Sequence, residues 1–320
     1  MADCPPGSPA ELQAQIGSKS IQLAKTAKLG DDAWDNNRRH PMAYVDAHHH
    51  FWHPARGDYG WIPEADPILS RAYGPADLAE ALEATGVEKT VLVQAAPSVA
   101  ETGYLLGIAD TSPTFAKVVG WIDFEDPNQL ATLKRLAEHP KFSGVRPMIQ
   151  DIPDDDWMLR NDIQWAYEAI VDLDLTFDCL GFPRHLTNFH KLLTRYPEMR
   201  AVIDHFMKPQ IRDGSIEHVQ FWADGMSRLA EETNACCKLS GIVTEADMDW
   251  SPPTLQPYVD RVIRAFGADR LMWGSDWPVV RQRLEYQDWF EMCQELTASL
   301  SDEERAHIFS DTARRFYRTD

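Results

Sequence analysis

Three consecutive histidines, His48, His49 and His50, follow the apolar-leaning residues YVDA at positions 44–47. An imidazole can bind a metal ion, carry a proton or donate a hydrogen bond, so the direction of each ring decides its chemistry. If this segment is a β-strand, successive side chains point to opposite faces. Asp46, His48 and His50 then share one face, and His49 packs on the other, outside any site. We expect Asp46 to be either a satisfied core carboxylate or an acceptor that orients an imidazole.

Further polar side chains stand at or just after the ends of other strand-like runs: Arg146, Asp178, Arg184, His185, His205, Lys208, Lys238, Ser240 and Asp276. Most of them have an ordinary structural alternative: a helix cap or core contact for His205, a surface ion pair for Arg146, a solvated side chain for Lys238. Asp276 is harder to explain in this way. It lies between two tryptophans in WGSDWP after an apolar run, and a buried carboxylate needs a partner.

The elements that must position these residues alternate along the chain. Amphipathic helical stretches, among them 76–86, 129–139 and 188–196, separate eight strand-like runs, which span 44–49, 90–95, 117–124, 144–149, 175–180, 201–206, 236–241 and 271–276. Two more helices are predicted within 286–318, one beginning at a capping box of Ser301 and Glu304. This order predicts an α/β fold, a distorted (β/α)8 TIM barrel, whose catalytic residues gather at the carboxyl ends of its strands. A doubly wound open sheet is the alternative, but no GxGxxG follows an early strand.

The first 42 residues differ from the rest, since they are polar and poor in aromatic side chains. We predict that residues 1–42 form an N-terminal extension that is partly disordered, wraps the body or contacts a partner subunit, and that 43–320 form the barrel. A homo-oligomer is therefore possible.

Composition excludes several classes of function. The net charge is −19 and the chain has no run of Lys and Arg, which argues against a nucleic-acid or membrane partner. The five cysteines include an adjacent pair but no CxxC, which argues against a disulfide framework and favours a cytoplasmic location. No apolar run is long enough to span a membrane. The GxSxG motif of serine hydrolases is absent, which argues against that class of enzyme.

Seven segments together resemble one family: DAHHHFW (46–52), YGWIPE (59–64), VLVQAAP (91–97), GVRPM (144–148), IDHFMKP (203–209), CKLSG (237–241) and RLMWGSDWP (270–278). They are similar to the amidohydrolase superfamily, more narrowly its amidohydrolase-2 branch. Within that branch they resemble sugar-lactone hydrolases of the L-fuconolactonase and L-rhamnonolactonase type, with 2-pyrone-4,6-dicarboxylate lactonases and 4-sulfomuconolactone hydrolases as relatives. The likeness covers residues 43–318 and leaves 1–42 without a counterpart.

The resemblance implies a metal or oxyanion site with a reduced set of ligands. His48 and His50 match the family's HxH pair, and His205 and Asp276 match its later histidine and aspartate. Arg146 stands where two-metal members carry a bridging lysine or glutamate, and the FDCLG segment lacks their metal-binding histidine. At most one divalent ion is therefore expected, most suitably zinc, on His48, His50, His205 and Asp276. Catalysis without metal stays open, because some lactonases of this branch work without one.

The resemblance also implies a reaction. The expected function is hydrolysis of a small lactone, in particular a sugar aldonolactone, with Asp276 as general base on water and the histidines stabilising the oxyanion. The expected substrate-binding residues are Arg146, Lys208, Trp52, Trp61, Arg184, His185 and Trp277. Two alternatives remain: a metal-dependent non-oxidative decarboxylase of the same superfamily, and a non-catalytic barrel that binds a metabolite.

Overall fold

The computed structural model describes residues 43–320, so the predicted extension over 1–42 lies outside the described residues. Eight strands form one sheet whose neighbours follow chain order and pair in parallel. They are β1 (Tyr44–His49), β2 (Val87–Val93), β3 (Phe115–Gly120), β4 (Phe142–Val145), β5 (Thr176–Cys179), β6 (Arg200–Ile203), β7 (Cys236–Leu239) and β8 (Leu271–Trp273).

A helix follows each strand, which confirms the predicted (β/α)8 barrel. The eight are α1 (Pro75–Thr85), α2 (Val99–Ala109), α3 (Gln129–Ala137), α4 (Gln164–Asp172), α5 (Leu186–Arg195), α6 (Ile216–Glu232), α7 (Pro252–Phe266) and α8 (Tyr286–Leu296). The chain ends in α9 (Asp302–Ala306), a π-turn and α10 (Thr312–Tyr317). The predicted capping box is present, since Ser301 accepts from the Glu304 amide while the Glu304 carboxylate accepts from the Ser301 amide.

Seven of the eight predicted strands extend past the observed carboxyl end, and in three of them the excess carries residues of the predicted site. The runs over 144–149, 201–206 and 271–276 leave the sheet at Val145, Ile203 and Trp273. The residues beyond these points form the turns at the barrel mouth. Arg146, His205 and Asp276 all lie in these turns.

The barrel closes where β1 meets the turn after β8. The Asp276 amide donates to the His48 carbonyl at 2.7 Å, and the His50 amide donates to the Trp277 carbonyl at 2.7 Å. A side chain at Gly274 would not fit here, because a Cβ atom would lie 2.7 Å from the Cβ of His48. Closure therefore ties the histidine strand directly to the segment that carries Asp276.

Asp46 braces this closure instead of orienting an imidazole, so the predicted shared face is wrong for this residue. Its carboxylate accepts from the amides of His48 (3.0 Å) and Ser275 (2.9 Å) and from the hydroxyl of Tyr286 on α8 (3.1 Å). A register irregularity between Asp46 and His49 breaks the simple alternation.

Toward the amino ends of the strands, the barrel interior contains an apolar cluster. A buried cluster joins β-strand side chains, including Val45, Val91 and Met272, to Phe316 and Tyr317 of α10. The C-terminal helix lies at the amino ends of the strands, since Ser310 just before it donates to the carbonyl of Ala43. Within residues 43–320, no helix combines the length and apolar character needed to cross a bilayer.

We predict that Gly274→Ala destabilises the protein by about 1–3 kcal/mol, because the new methyl group overpacks against His48 at the closure. Gly103→Ala is the matched control. Gly103 lies inside α2 with open space around its missing Cβ, and alanine there should stabilise the helix by roughly 0.5–1 kcal/mol. Urea unfolding of both variants measures the two effects, and equal midpoints would contradict the close approach at Gly274.

Candidate active site

Four side-chain atoms that could bind a metal ion, three imidazole nitrogens and one carboxylate oxygen, converge at the carboxyl ends of the strands. The Nε2 atoms of His48 and His50 are 3.2 Å apart, and His50 Nε2 is 3.3 Å from Asp276 Oδ1. The same carboxylate oxygen lies 3.7 Å from His48 Nε2 and 3.8 Å from His205 Nε2. All four side chains are almost completely buried. The structure thus brings together the four residues that the sequence predicted as catalytic.

Left-handed backbone turns aim two of these side chains. Asp276 has a φ of 54°, and four successive residues from His205 to Lys208 have φ values of 53°, 53°, 57° and 50°. Each such non-glycine residue costs on the order of 1 kcal/mol, and such conformations cluster at functional sites. The turn brings His205 Nδ1 within 2.8 Å of Ser240 Oγ. Gly241 must remain free of a side chain, because a Cβ atom would lie 2.5 Å from His205 Nδ1.

Burial sets the charge state of the group. Loss of solvent lowers the pKa of His50, lowers that of His205 to about 4, and lowers that of His48 well below its ordinary value. Burial alone would raise the pKa of Asp276, but the neighbouring His205 and His50 outweigh it, so this pKa lies below its ordinary value. At neutral pH three uncharged imidazoles therefore face one carboxylate.

A buried ionic network supports His48 from below. Lys238, which the sequence left as a possible solvated side chain, is fully buried. Its ammonium nitrogen lies 3.0 Å from His48 Nδ1, 2.6 Å from Asp178 Oδ2 and 2.9 Å from Asp204 Oδ1. Tyr317 donates its hydroxyl to Asp178 at 2.8 Å. Burial raises the pKa of Asp178. Burial acts in the same direction on Asp204, but Lys238 and His48 outweigh it and hold the pKa of Asp204 well below its ordinary range.

Arg146 completes this network at the mouth. Its Nη1 lies 3.2 Å from Asp204 Oδ2 and 3.3 Å from His48 Nε2, and its Nη2 donates to the Gln94 carbonyl. The surface ion pair considered for Arg146 is therefore wrong, because the side chain is buried. Sequence reasoning missed Asp204 and Gln94 as site residues. A signal existed for Asp204, since it is a carboxylate within the apolar run AVIDHF and so requires a cationic partner.

Three expected substrate-binding residues lie at the rim. Lys208 donates to Gln150 Oε1 at 2.6 Å, and Arg184 donates to the Gln150 carbonyl at 3.0 Å. Both cations lie over the Phe182 ring, at 4.8 Å for Arg184 and 5.4 Å for Lys208. Trp61 is 37% exposed, and its indole donates to the Ala95 carbonyl. This rim offers charged donors and one accessible aromatic face.

Three other expected substrate-binding residues are enclosed by protein. Trp52 is fully buried and donates to the Leu69 and Arg71 carbonyls, and Trp277 packs with its ring 5.0 Å from that of Tyr73. His185 is buried and accepts from the Phe182 amide at 3.0 Å. The expectation of stacking by Trp52 and Trp277 needs correction, because neither indole has an exposed face. We assign both rings and His185 to packing behind the mouth.

The converging atoms suit one cation. Two ligands about 2.0–2.1 Å from a tetrahedral zinc ion are separated by roughly 3.3 Å, and the separations here run from 3.2 to 3.8 Å. His50 Nδ1 lies 2.8 Å from the Val93 carbonyl, which can only accept, so its Nε2 carries a free lone pair. Within residues 43–320, two groups of three potential ligands are found, His48 with His50 and Asp276, and His48 with Asp204 and His205, so His205 belongs to a different group from His50 and Asp276. The residues present are compatible with a single divalent ion.

Comparisons with known proteins agree with this architecture. A family model described as "Amidohydrolase" matches residues 45–319. An L-fucono-1,5-lactonase of Burkholderia ambifaria is 42% identical over 280 residues, covering 86% of this chain and 96% of the relative. An L-fucono-1,5-lactonase of Burkholderia multivorans is 32% identical, covering 85% of this chain and 95% of the relative. A crystal structure of a Burkholderia multivorans amidohydrolase with bound zinc is 32% identical with a TM-score of 0.81, covering 86% of this chain and 99% of that one.

The histidine triplet provides an internal comparison. His49 contacts Thr90 Oγ1 at 2.8 Å and packs against Phe51, away from the converging donors. We predict that His49→Ala loses about 1–3 kcal/mol of stability and keeps a near-normal kcat, because the lost packing and the lost contact with Thr90 lie outside the site. His48→Ala and His50→Ala should instead lower turnover by at least about a hundredfold.

Steady-state kinetics and thermal melts on the three variants measure both effects, and all three make the same chemical change within one tripeptide. If His49→Ala proved the most catalytically impaired of the three, the placement of His48 and His50 at the reacting centre would be refuted.

Proposed function

The chain belongs to the amidohydrolase family, and on that premise we propose that it hydrolyses a small lactone, namely the aldonolactone of a sugar. The observation that carries this proposal is the convergence of Asp276 with three uncharged imidazoles at a barrel mouth. Two relatives that this chain matches over most of its length are lactonases. A lactone is uncharged at its reacting carbonyl, so it needs a base to activate water and donors to stabilise the oxyanion.

Asp276 is the proposed general base. Its carboxylate is ionised, since its pKa lies below the ordinary value even though burial alone would raise it. Water attacks the lactone carbonyl and gives its proton to this carboxylate, which forms a tetrahedral oxyanion. The bond between the carbonyl carbon and the ring oxygen then breaks, and the ring oxygen receives the proton from Asp276. The product is the open-chain hydroxy acid, so one water is consumed and no other reactant is needed.

The imidazoles and Arg146 supply the stabilisation. His48 and His205 surround Asp276 Oδ1 from two sides, and Arg146 brings a fixed positive charge within 3.3 Å of His48. Preorganised donors of this kind contribute several kcal/mol in a site that excludes water. If zinc is bound, His48, His50, His205 and Asp276 would hold it, and it would act as a Lewis acid on the carbonyl oxygen.

The rim is the proposed recognition surface for the sugar. Lys208 and Arg184 offer donors for hydroxyl and ring oxygens, Trp61 offers a partly exposed indole, and Arg146 lies buried beneath them. Because the cations are already paired with Gln150 and with nearby carboxylates, they act as hydrogen-bond donors more than as free charges. This favours a neutral polyhydroxylated substrate, and no observation favours decarboxylation or simple metabolite binding.

We predict that the purified protein opens aldonolactones of six-carbon sugars and releases no carbon dioxide. A pH-indicator assay over 1,5- and 1,4-lactones of different stereochemistry, with carbon dioxide detection in parallel, measures this. Elemental analysis of the same protein should give at most one divalent ion per chain. Carbon dioxide release would favour the decarboxylase, absence of any turnover would favour a binding protein, and two tightly bound ions would refute the single-ion site.

We predict that Asp276→Asn keeps the fold but lowers kcat on the order of a thousandfold or more, because the amide cannot accept the proton from water. Asp155→Asn is a suitable control, since that exposed carboxylate pairs with Arg184 at the rim and should change kcat only slightly. Circular dichroism verifies folding of both variants. A folded Asp276→Asn variant with near-normal turnover would exclude Asp276 as the base.

A further inference from the structure

Both ring nitrogens of His48 face cationic donors, which is an unusual constraint on a neutral imidazole. Nδ1 lies 3.0 Å from Lys238 Nζ, and Nε2 lies 3.3 Å from Arg146 Nη1. Lysine and arginine can only donate, and a neutral imidazole has one lone pair and one N–H. One of the two contacts must therefore lack a hydrogen bond, and the surrounding acceptors decide which.

The surrounding acceptors favour a hydrogen on Nε2. His50 donates its Nδ1 hydrogen to the Val93 carbonyl at 2.8 Å, so His50 Nε2 carries a lone pair. His48 Nε2 is 3.2 Å from that lone pair. With a hydrogen on His48 Nε2, a directed chain forms from Lys238 through His48 and His50 to Val93. Arg146 Nη1 retains Asp204 Oδ2 as acceptor at 3.2 Å.

The opposite tautomer of His48, with the hydrogen on Nδ1, makes only weak hydrogen bonds unless a metal cation binds between His48 and His50. A hydrogen on Nδ1 would find Asp204 Oδ1 at 3.4 Å, a long contact, with the ammonium group of Lys238 pressed against it. The lone pairs of His48 and His50 would then face each other at 3.2 Å, and the His48 lone pair would be reached only by the 3.3 Å contact from Arg146 Nη1, which already donates to Asp204. That arrangement is favourable when a metal ion lies between the two nitrogens, because both are then ligands.

We propose that Lys238 is a positioning residue that fixes His48 as the Nε2–H tautomer and thereby opposes metal binding. In the metal-free protein, His48 presents a hydrogen-bond donor beside Asp276, which is the form suited to an oxyanion. A metal ion must displace this hydrogen to Nδ1, toward Asp204, and must do so against the charge of Lys238. The catalytic part of this inference rests on the proposed lactone hydrolysis, whereas the tautomer and the metal affinity are properties of the protein alone.

Asp178 makes the proposal testable without leaving an unpaired buried charge. Lys238 and Asp178 are both fully buried and 2.6 Å apart, so Lys238→Met alone would leave an unpaired carboxylate and risk unfolding. The double variant Lys238→Met/Asp178→Asn removes one charge of each sign. Asp178→Asn alone is the matched background, since it keeps Lys238 beside His48 and its new amide oxygen can still accept from Tyr317.

The first measurement is zinc affinity by competition with a chromophoric chelator, without substrate. We expect the double variant to bind zinc at least about tenfold more tightly than Asp178→Asn. Equal or weaker zinc binding by the double variant would refute the proposal that Lys238 opposes metal binding. Because no substrate is present, this outcome is independent of whether the protein is a lactonase.

The second measurement needs no change at Lys238. Nitrogen-15 NMR of chelator-treated protein labelled at its 11 histidines reports which ring nitrogen carries hydrogen, and His48→Gln identifies the signals of His48. We expect a protonated Nε2 and an unprotonated Nδ1, with the pattern reversed after zinc is added. A protonated Nδ1 in the metal-free wild type would overturn the proposal even if the double variant failed to fold.

Discussion

Two backbone hydrogen bonds between the first strand and the turn after the last strand hold the site together. The Asp276 amide binds the His48 carbonyl and the His50 amide binds the Trp277 carbonyl, both at 2.7 Å. These bonds close the barrel, and they also place a carboxylate more than two hundred residues away in sequence against two imidazoles. Asp46 reinforces the junction through the amides of His48 and Ser275. A barrel that did not close here would have neither the fold nor the contact between Asp276 and the histidines.

Burial is the second determinant of the chemistry. The imidazoles stay uncharged because they are removed from water, whereas the pKa of Asp276 lies below its ordinary value although burial alone would raise it. The buried charges next to His48 are compensated by ion pairs: Lys238 pairs with Asp178 and Asp204, and Arg146 pairs with Asp204. Such a balanced group is costly to break on one side only. It therefore fixes the ring positions more firmly than packing alone would.

The same geometry accommodates either a hydrogen or a metal ion between His48 and His50. Their facing nitrogens are 3.2 Å apart, a separation suited both to an N–H···N hydrogen bond and to two ligands of one zinc ion. Lys238 and Asp204 lie on the far side of His48 and favour opposite tautomers.

The sequence by itself determined the barrel, the order of its elements and four central residues. Alternating short apolar runs and amphipathic helices predict parallel strands, and polar residues at the ends of those runs must then meet at one edge. This reasoning finds His48, His50, His205 and Asp276, because each carries its signal locally.

The tertiary structure alone decided the roles of residues that depend on distant partners. Lys238 resembles a solvated lysine until β5 and β6 supply Asp178 and Asp204. Asp46 resembles an imidazole partner until a register irregularity directs it to α8. Trp52 and Trp277 resemble stacking platforms until their burial is seen. The local sequence pattern predicts the position of a residue in its strand or turn. The partners, burial and charge balance of its side chain are set only when distant strands become neighbours.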